Sequence, residues 1–134
     1  MPAWPGIIPG WATPCGCIIA AFKDIVPDKI PADSASALLI LSFGGVREDG
    51  SRYIVGEFDA GGSGGGPFKD GVDVIETDGS NCMNMPAEPL ELEAPLRVNR
   101  MALRADSGGV GKFRGGLGCV REIEVLEDKI ERGW

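Results

Sequence analysis

The chain has 134 residues, 43% of them apolar and 25% charged, and a net charge of −7. This excludes a disordered tail, and no apolar run of about 18 residues offers a membrane span. The acidic balance disfavours nucleic acid as a partner, and the absence of histidine excludes imidazole acid–base chemistry and His-ligated metal sites.

Residues 1–13 (MPAWPGIIPGWAT) combine three prolines with Trp4, Ile7, Ile8 and Trp11. They read as an irregular arm whose apolar side chains need a surface, either a partner or this chain's own helix. The remainder, 14–134, reads as one domain or a piece of one. A helix is expected over 14–26: Thr13 is placed to cap, Pro14 suits the first turn, Pro27 stops it, and Cys15, Ile18, Ile19, Phe22, Ile25 and Val26 share a face. Ala37–Phe43 is a continuous apolar run of strand length, with Gly44-Gly45 a candidate bulge. Glu48-Asp49-Gly50-Ser51 supplies a turn and Arg52–Phe58 alternates as the returning strand of a hairpin. Val72–Glu76 reads as a further short strand. Pro86, Pro89 and Pro95 argue against a long helix in 84–95 and place its acids on extended or turn backbone. Leu96–Leu103 reads as a strand whose apolar phase slips near Arg100. Cys119–Leu126 alternates, with Cys119, Ile123 and Val125 on one side and Glu122 and Glu124 on the other.

The expected fold is therefore mainly β, an α+β arrangement with one N-terminal helix. Charge divides along it. Residues 48–93 hold eleven acids and two bases, whereas 95–121 hold six bases and one acid. The basic stretch suits a small anion or an acidic surface, or is simply one half of a solvated bipolar exterior.

Of the four cysteines, Cys15 and Cys17 form a CxC, tighter than a zinc-ribbon CxxC, and Cys82 and Cys119 stand alone, so no metal site is expected. No secretory signal pattern opens the chain, and a cytoplasmic protein with reduced thiols is the economical expectation.

The chain has 21 glycines and 10 prolines, about twice average usage. Six glycines fall in 61–71 and six in 106–118. Neither run is a nucleotide loop. Asp106 stands where a P-loop needs its first glycine, Phe113 stands where Ser or Thr should follow Lys112, and no GxGxxG can be completed from Gly64 or Gly109. Phe68, Phe113 and Leu117 within the runs favour packed, ordered segments over flexible linkers.

The blocks GGSGGGPFKDGVD (61–73), NCMNMPAEPLE (81–91), APLRV (94–98) and LRADSGGVGKFRGGLGCVREIE (103–124), preceded by VPDKIPA (26–32), resemble the C-terminal region of the hydantoinase B/oxoprolinase family. That family includes the B-type components of ATP-dependent hydantoinases, 5-oxoprolinase, and components of acetone and acetophenone carboxylases. The resemblance implies a twisted or barrel-like β-sheet running into glycine-rich, polyproline-like segments, in chains several hundred residues long, so this chain corresponds to a C-terminal part. It implies a role in an ATP-dependent cyclic amide hydrolase or ketone carboxylase, or a non-catalytic assembly module of such a complex. The implied partners are an A-type ATP-binding subunit, the rest of the B-type protein and a small cyclic amide or ketone substrate. ATP and a divalent metal are expected elsewhere in the complex and no cofactor in this chain.

The matching motif positions name candidate residues: Asp70 and Glu88 for catalysis, and Asn81, Asn84, Asp106, Lys112 and Arg114 for substrate binding. Asparagine amides orient a carbonyl or urea group, and a carboxylate handles a proton. Turn capping beside glycine is the competing role for Asp70 and Asp106, and simple ion pairing for Arg114. Gly66 and Asp78 depart from the Arg and His commonly found at those points of the family pattern, so an incomplete site is expected in this chain alone.

Overall fold

The computed structural model describes residues 6–8, 12–35, 38–76 and 84–126. Trp4, Trp11, Asn81 and Cys82 lie outside the described residues. In chain order the elements are β1 (Gly6–Ile8), α1 (Ala12–Ala21), β2 (Leu38–Val46), β3 (Arg52–Asp59), α2 (Ala87–Glu93), β4 (Leu96–Leu103) and β5 (Cys119–Val125). They form an antiparallel sheet of order β1-β2-β3 and a second antiparallel pair, β4-β5.

The hairpin forms as its residues demand. β2 and β3 pair without a break from Leu39↔Asp59 to Val46↔Arg52. At the turn Gly50 takes φ +81°, which favours glycine, and the Ser51 N–H donates to Asp49 Oδ1 at 2.8 Å. The Gly44-Gly45 pair does not bulge the strand. Gly45 stays in the ladder opposite Tyr53, whose ring lies over it, so that a Cβ at Gly45 would fall 2.7–2.9 Å from the ring atoms and hydroxyl. The predicted slip in β4 is present as a register shift between Val98 and Arg100.

Several expectations are corrected. Part of the N-terminal arm is a strand, since Gly6–Ile8 pairs with Ile40–Leu38 of β2. α1 ends at Ala21 rather than at Val26. Its last turn tightens into i→i+3 bonds, Phe22 N–H to Ile19 O and Lys23 N–H to Ala20 O, both at 3.1 Å, and Pro27 disfavours helical backbone at the residue before it. The apolar side chains of Ile18 in α1 and of Phe22 and Ile25 in the turn after it remain exposed. Val72–Glu76 is not a strand: Val74 takes φ +46°, and the segment bonds to loops, Val74 N–H to Leu117 O and Ile75 N–H to Gly61 O.

The acids of 88–93 sit on a helix, not on extended backbone. Pro86 precedes α2 and Pro89 lies in its first turn, where the missing N–H has no intrahelical acceptor to lose. Nor do the strands close a barrel among the described residues. β3 passes into the glycine segment at Ala60, which bonds to loops, so the two sheets meet through side chains rather than edge to edge.

Those side chains form the core. Phe43, Tyr53 and Val55 of the first sheet pack with Leu90 and Ala94 at α2 and Leu96 of β4, and Leu41, Met85, Val98 and Ile123 border them. Leu90 and Leu96 are fully buried, so α2 wedges its single inward leucine between the sheets. Arg47 fixes the hairpin to that helix by donating from Nη2 to Glu93 O at 2.6 Å, a carbonyl left free at the helix end. Among the described residues no helix is long and apolar enough to cross a membrane.

The glycine segments pack backbone on backbone. Ala32 N–H donates to Gly65 O (2.8 Å), Ala35 N–H to Gly62 O (3.0 Å), Gly71 N–H to Arg114 O (2.7 Å) and Gly116 N–H to Ser63 O (2.8 Å). A Cβ on Gly116 would overlap the Val72 carbonyl, whereas one on Gly109 would meet nothing within 4 Å. Accordingly Gly116→Ala should lower unfolding stability by about 1–3 kcal/mol, and Gly109→Ala should change it by less than about 0.5 kcal/mol, as read by urea denaturation.

Candidate functional site

Side chains alternate along β3, and the inward set is Tyr53, Val55, Glu57 and Asp59. The first two complete the apolar core. The last two place carboxylates inside the protein, at 1% and 5% exposure. On the facing sheet, alternation along β5 puts Arg121 on the same side as Cys119 and Ile123, with its side chain 2% exposed.

Arg121 joins these groups. Its Nη1 pairs with Glu57 Oε1 and lies 3.9 Å from Asp59 Oδ1, while Nη2 donates to Met85 O at 3.0 Å. The Met85 N–H returns a bond to Glu57 Oε1 at 3.2 Å. Beside this cluster, Asn84 Oδ1 accepts the Ala60 N–H at 3.4 Å, and the Cys119 thiol faces Ala60 O at 3.7 Å. One guanidinium thus serves two buried carboxylates, and both carboxyl groups are held above their ordinary range because burial outweighs the attraction of Arg121. Burial, and secondarily the Asp59 carboxylate, pushes the Cys119 thiol up, which makes it a poor nucleophile near neutral pH.

A cleft of about 540 Å³ adjoins the cluster. Asp59 and Cys119 line it together with Arg104, Ser107 and the backbone of both glycine segments. Asp59 is therefore shared between the buried cluster and the cleft, whereas Glu57 belongs to the cluster alone.

The family model for hydantoinase B/oxoprolinase matches residues 11–132. The chain belongs to this family. It is 34% identical over 111 residues to a protein of Pseudomonas sp. strain NS671 provisionally named as the B-type component of a D-/L-hydantoinase, covering 83% of this chain and 18% of that protein. It is 39% identical over 69 residues to 5-oxoprolinase of Dictyostelium discoideum, covering 52% and 6%. The beta component of a caprolactamase of Pseudomonas jessenii shares 44% identity over 45 residues, covering 34% and 8%. The chain spans about a fifth or less of the length of the first relatives it matches.

The motif residues of this family member scatter into distinct roles. Asn84 joins the buried cluster. Asp70 bridges the glycine segments, its Oδ1 accepting the Arg114 N–H at 2.8 Å. Arg114 also faces Asp73 at 3.6 Å, and Asp73 Oδ1 accepts the Leu117 N–H at 2.7 Å. Asp106 occupies an exposed turn at φ +57°, and Lys112 lies 5.3 Å from the Phe113 ring centre. Glu88 is exposed in the first turn of α2 and does not line the cleft. Asn81 is not among the described residues.

Sequence reasoning passes over Glu57, Asp59 and Arg121. A signal is present: in β3 both phases carry large apolar residues, Ile54 and Phe58 on one and Tyr53 and Val55 on the other, so alternation does not say which side is inward. In β5, Arg121 interrupts the apolar phase of Cys119 and Ile123.

Two outcomes follow from the cluster. Arg121→Met, which strands two buried carboxyl groups and the Met85 carbonyl, should cost about 3–5 kcal/mol of stability, and Arg121→Lys should recover only part because an ammonium cannot span both partners in a fixed fork. A carboxyl group whose value is raised by folding favours the native state most below the ordinary carboxylate range, and that contribution is lost as pH rises through the raised value. The stability of the native chain relative to Asp59→Asn should therefore fall as pH rises above the ordinary carboxylate range, measured by urea unfolding at stepped pH.

Proposed function

We propose that this chain serves as part of the B-type component of an ATP-dependent cyclic amide hydrolase of the hydantoinase/5-oxoprolinase kind. The observation that carries the reading is the family match across almost the whole chain, with relatives named as a hydantoinase component, a 5-oxoprolinase and a caprolactamase component. Under this reading ATP is bound by an A-type partner which, with a divalent metal held elsewhere in the complex, activates the substrate. The remainder of the B-type protein completes the site. A ketone substrate of the carboxylase branch fits the same family but draws no support from these relatives' names.

Within this reading Asn84 and the neighbouring cleft supply amide recognition. Glu88, exposed on α2, is available to a substrate or partner approaching that surface. Asp70, Asp106, Lys112 and Arg114 belong to the glycine-segment side, where Asp70 and Arg114 hold the loops in register. Asn81, three residues before Asn84 in sequence, retains its proposed substrate role.

The test is reconstitution of the chain with the A-type partner and the remaining B-type portion. Cyclic-amide-dependent ATP hydrolysis should require this chain and be absent from the chain alone. Because Glu88 is exposed, Glu88→Gln should leave folding intact and lower turnover by roughly 10²–10⁴-fold if it handles a proton. Assembly without substrate-dependent ATP hydrolysis would favour the purely structural module instead.

A further inference from the structure

The two sheets differ on the faces they turn away from the core. On β4–β5 that face carries cross-strand pairs, Arg97 with Glu124 and Arg100 with Glu122, both at 3.5 Å, as suits a surface that meets water. On β2–β3, alternation sets Ile54, Gly56 and Phe58 outward, with Gly44, Ser42 and Ile40 opposite them in the register. Arg52, at the hairpin end, brings the one charge of that face among the described residues. Ile54 is 85% exposed and Phe58 39%, and α1 leaves them uncovered, its own Ile18 being 62% exposed. An apolar patch on one sheet beside a charged face on the other marks a surface built to be covered.

The strand glycines point the same way. Neither Gly44 nor Gly56 takes a positive φ. A Cβ on Gly56 would meet nothing within 4 Å, and one on Gly44 would make ordinary contacts at 3.5 Å and 3.9 Å. The fold of this chain therefore requires glycine at neither position, although glycine weakens a strand. With Ser42 they leave a hollow between Ile54 and the Ile40–Phe58 pair, open to a backbone or a large apolar side chain from outside. The length of the relatives indicates what fills it. More than four fifths of each of the first relatives lies outside the stretch matched to this chain. We propose that the outer face of β2–β3, centred on Ile54, Gly56 and Phe58, docks the remainder of the B-type protein, which seats an apolar side chain in the hollow at Gly56. The identity of this partner rests on the B-type reading above. The outer face of β4–β5 stays in water.

The full chain is titrated by calorimetry into the separately expressed remaining B-type portion. Ile54→Asp, at a position exposed in the isolated chain, should weaken association at least about tenfold, and Gly56→Val should do the same by filling the hollow. Valine suits a strand, so the isolated Gly56→Val chain should unfold at a urea concentration no lower than the native chain does. If that variant fails to fold, Ile54→Asp and hydroxyl-radical labelling of Phe58, which should fall severalfold on assembly, decide the matter. Glu122→Gln, on the charged face, should leave the affinity unchanged. No association, or association indifferent to Ile54→Asp with Phe58 still labelled, would overturn the docking face. Self-association of the chain through Ile54 in place of that complex would overturn it too, since the occupant would be a second copy. Ile54-dependent assembly without cyclic-amide-dependent ATP hydrolysis supports the face and sinks the hydrolase reading. Hydrolysis and affinity both untouched by Ile54→Asp sink the face and leave that reading standing.

Discussion

The arrangement turns on the buried guanidinium of Arg121. Among the described residues the two sheets share no strand pairing, and what joins them is the apolar wedge of α2 together with the fork from β5 to Glu57 and the Met85 carbonyl. A desolvated ion pair of this kind is not a cheap way to hold a core together, and well-packed apolar residues often do as well. What it adds is position. The planar fork fixes where Glu57 stands, where segment 84–85 crosses, and, through Asn84 and Cys119, where β3 passes into the first glycine segment at Ala60.

Beyond Ala60 close backbone approach takes over from the packing of apolar side chains. The segments 60–76 and 104–118 approach so closely that carbonyls occupy the space a Cβ would need, and their order comes from cross-bonds among N–H and C=O groups. Two carboxylates complete the network, Asp70 taking the Arg114 N–H and Asp73 the Leu117 N–H. The glycines and the acids of these motifs are therefore one device. Side-chain-free backbone makes the approach possible, and aspartates satisfy the N–H groups that the approach leaves unpaired. The same device leaves a cleft walled by backbone, with Asp59 at the point where the buried cluster reaches it.

How much of this is legible in the sequence depends on the range of the forces involved. The β2–β3 hairpin is, because Asp49-Gly50 fixes a turn locally and the flanking strands have only one way to pair. The slip in β4 is, because the apolar phase changes within a few residues. α1 is legible as a helix but not in its extent or surroundings: its apolar stripe promises a buried face, yet Ile18, Phe22 and Ile25 lie exposed. α2 escapes notice because three prolines outweigh the two leucines between them, although prolines before and within a first turn break no hydrogen bond.

The sequence by itself determined the family, the hairpin, and the strand character of 96–103 and 119–125, since each rests on local chemistry or on the order of short motifs. Only the tertiary structure decided which residues form the buried site. Glu57 stands 64 positions from Arg121, and strand alternation cannot tell an inward carboxylate from an outward one until the opposing sheet supplies its cation. The motif acids draw attention because glycines flank them. The cluster acids do not, because their partner is distant in sequence and the low-dielectric surroundings that give them their properties exist only once both sheets have closed over them.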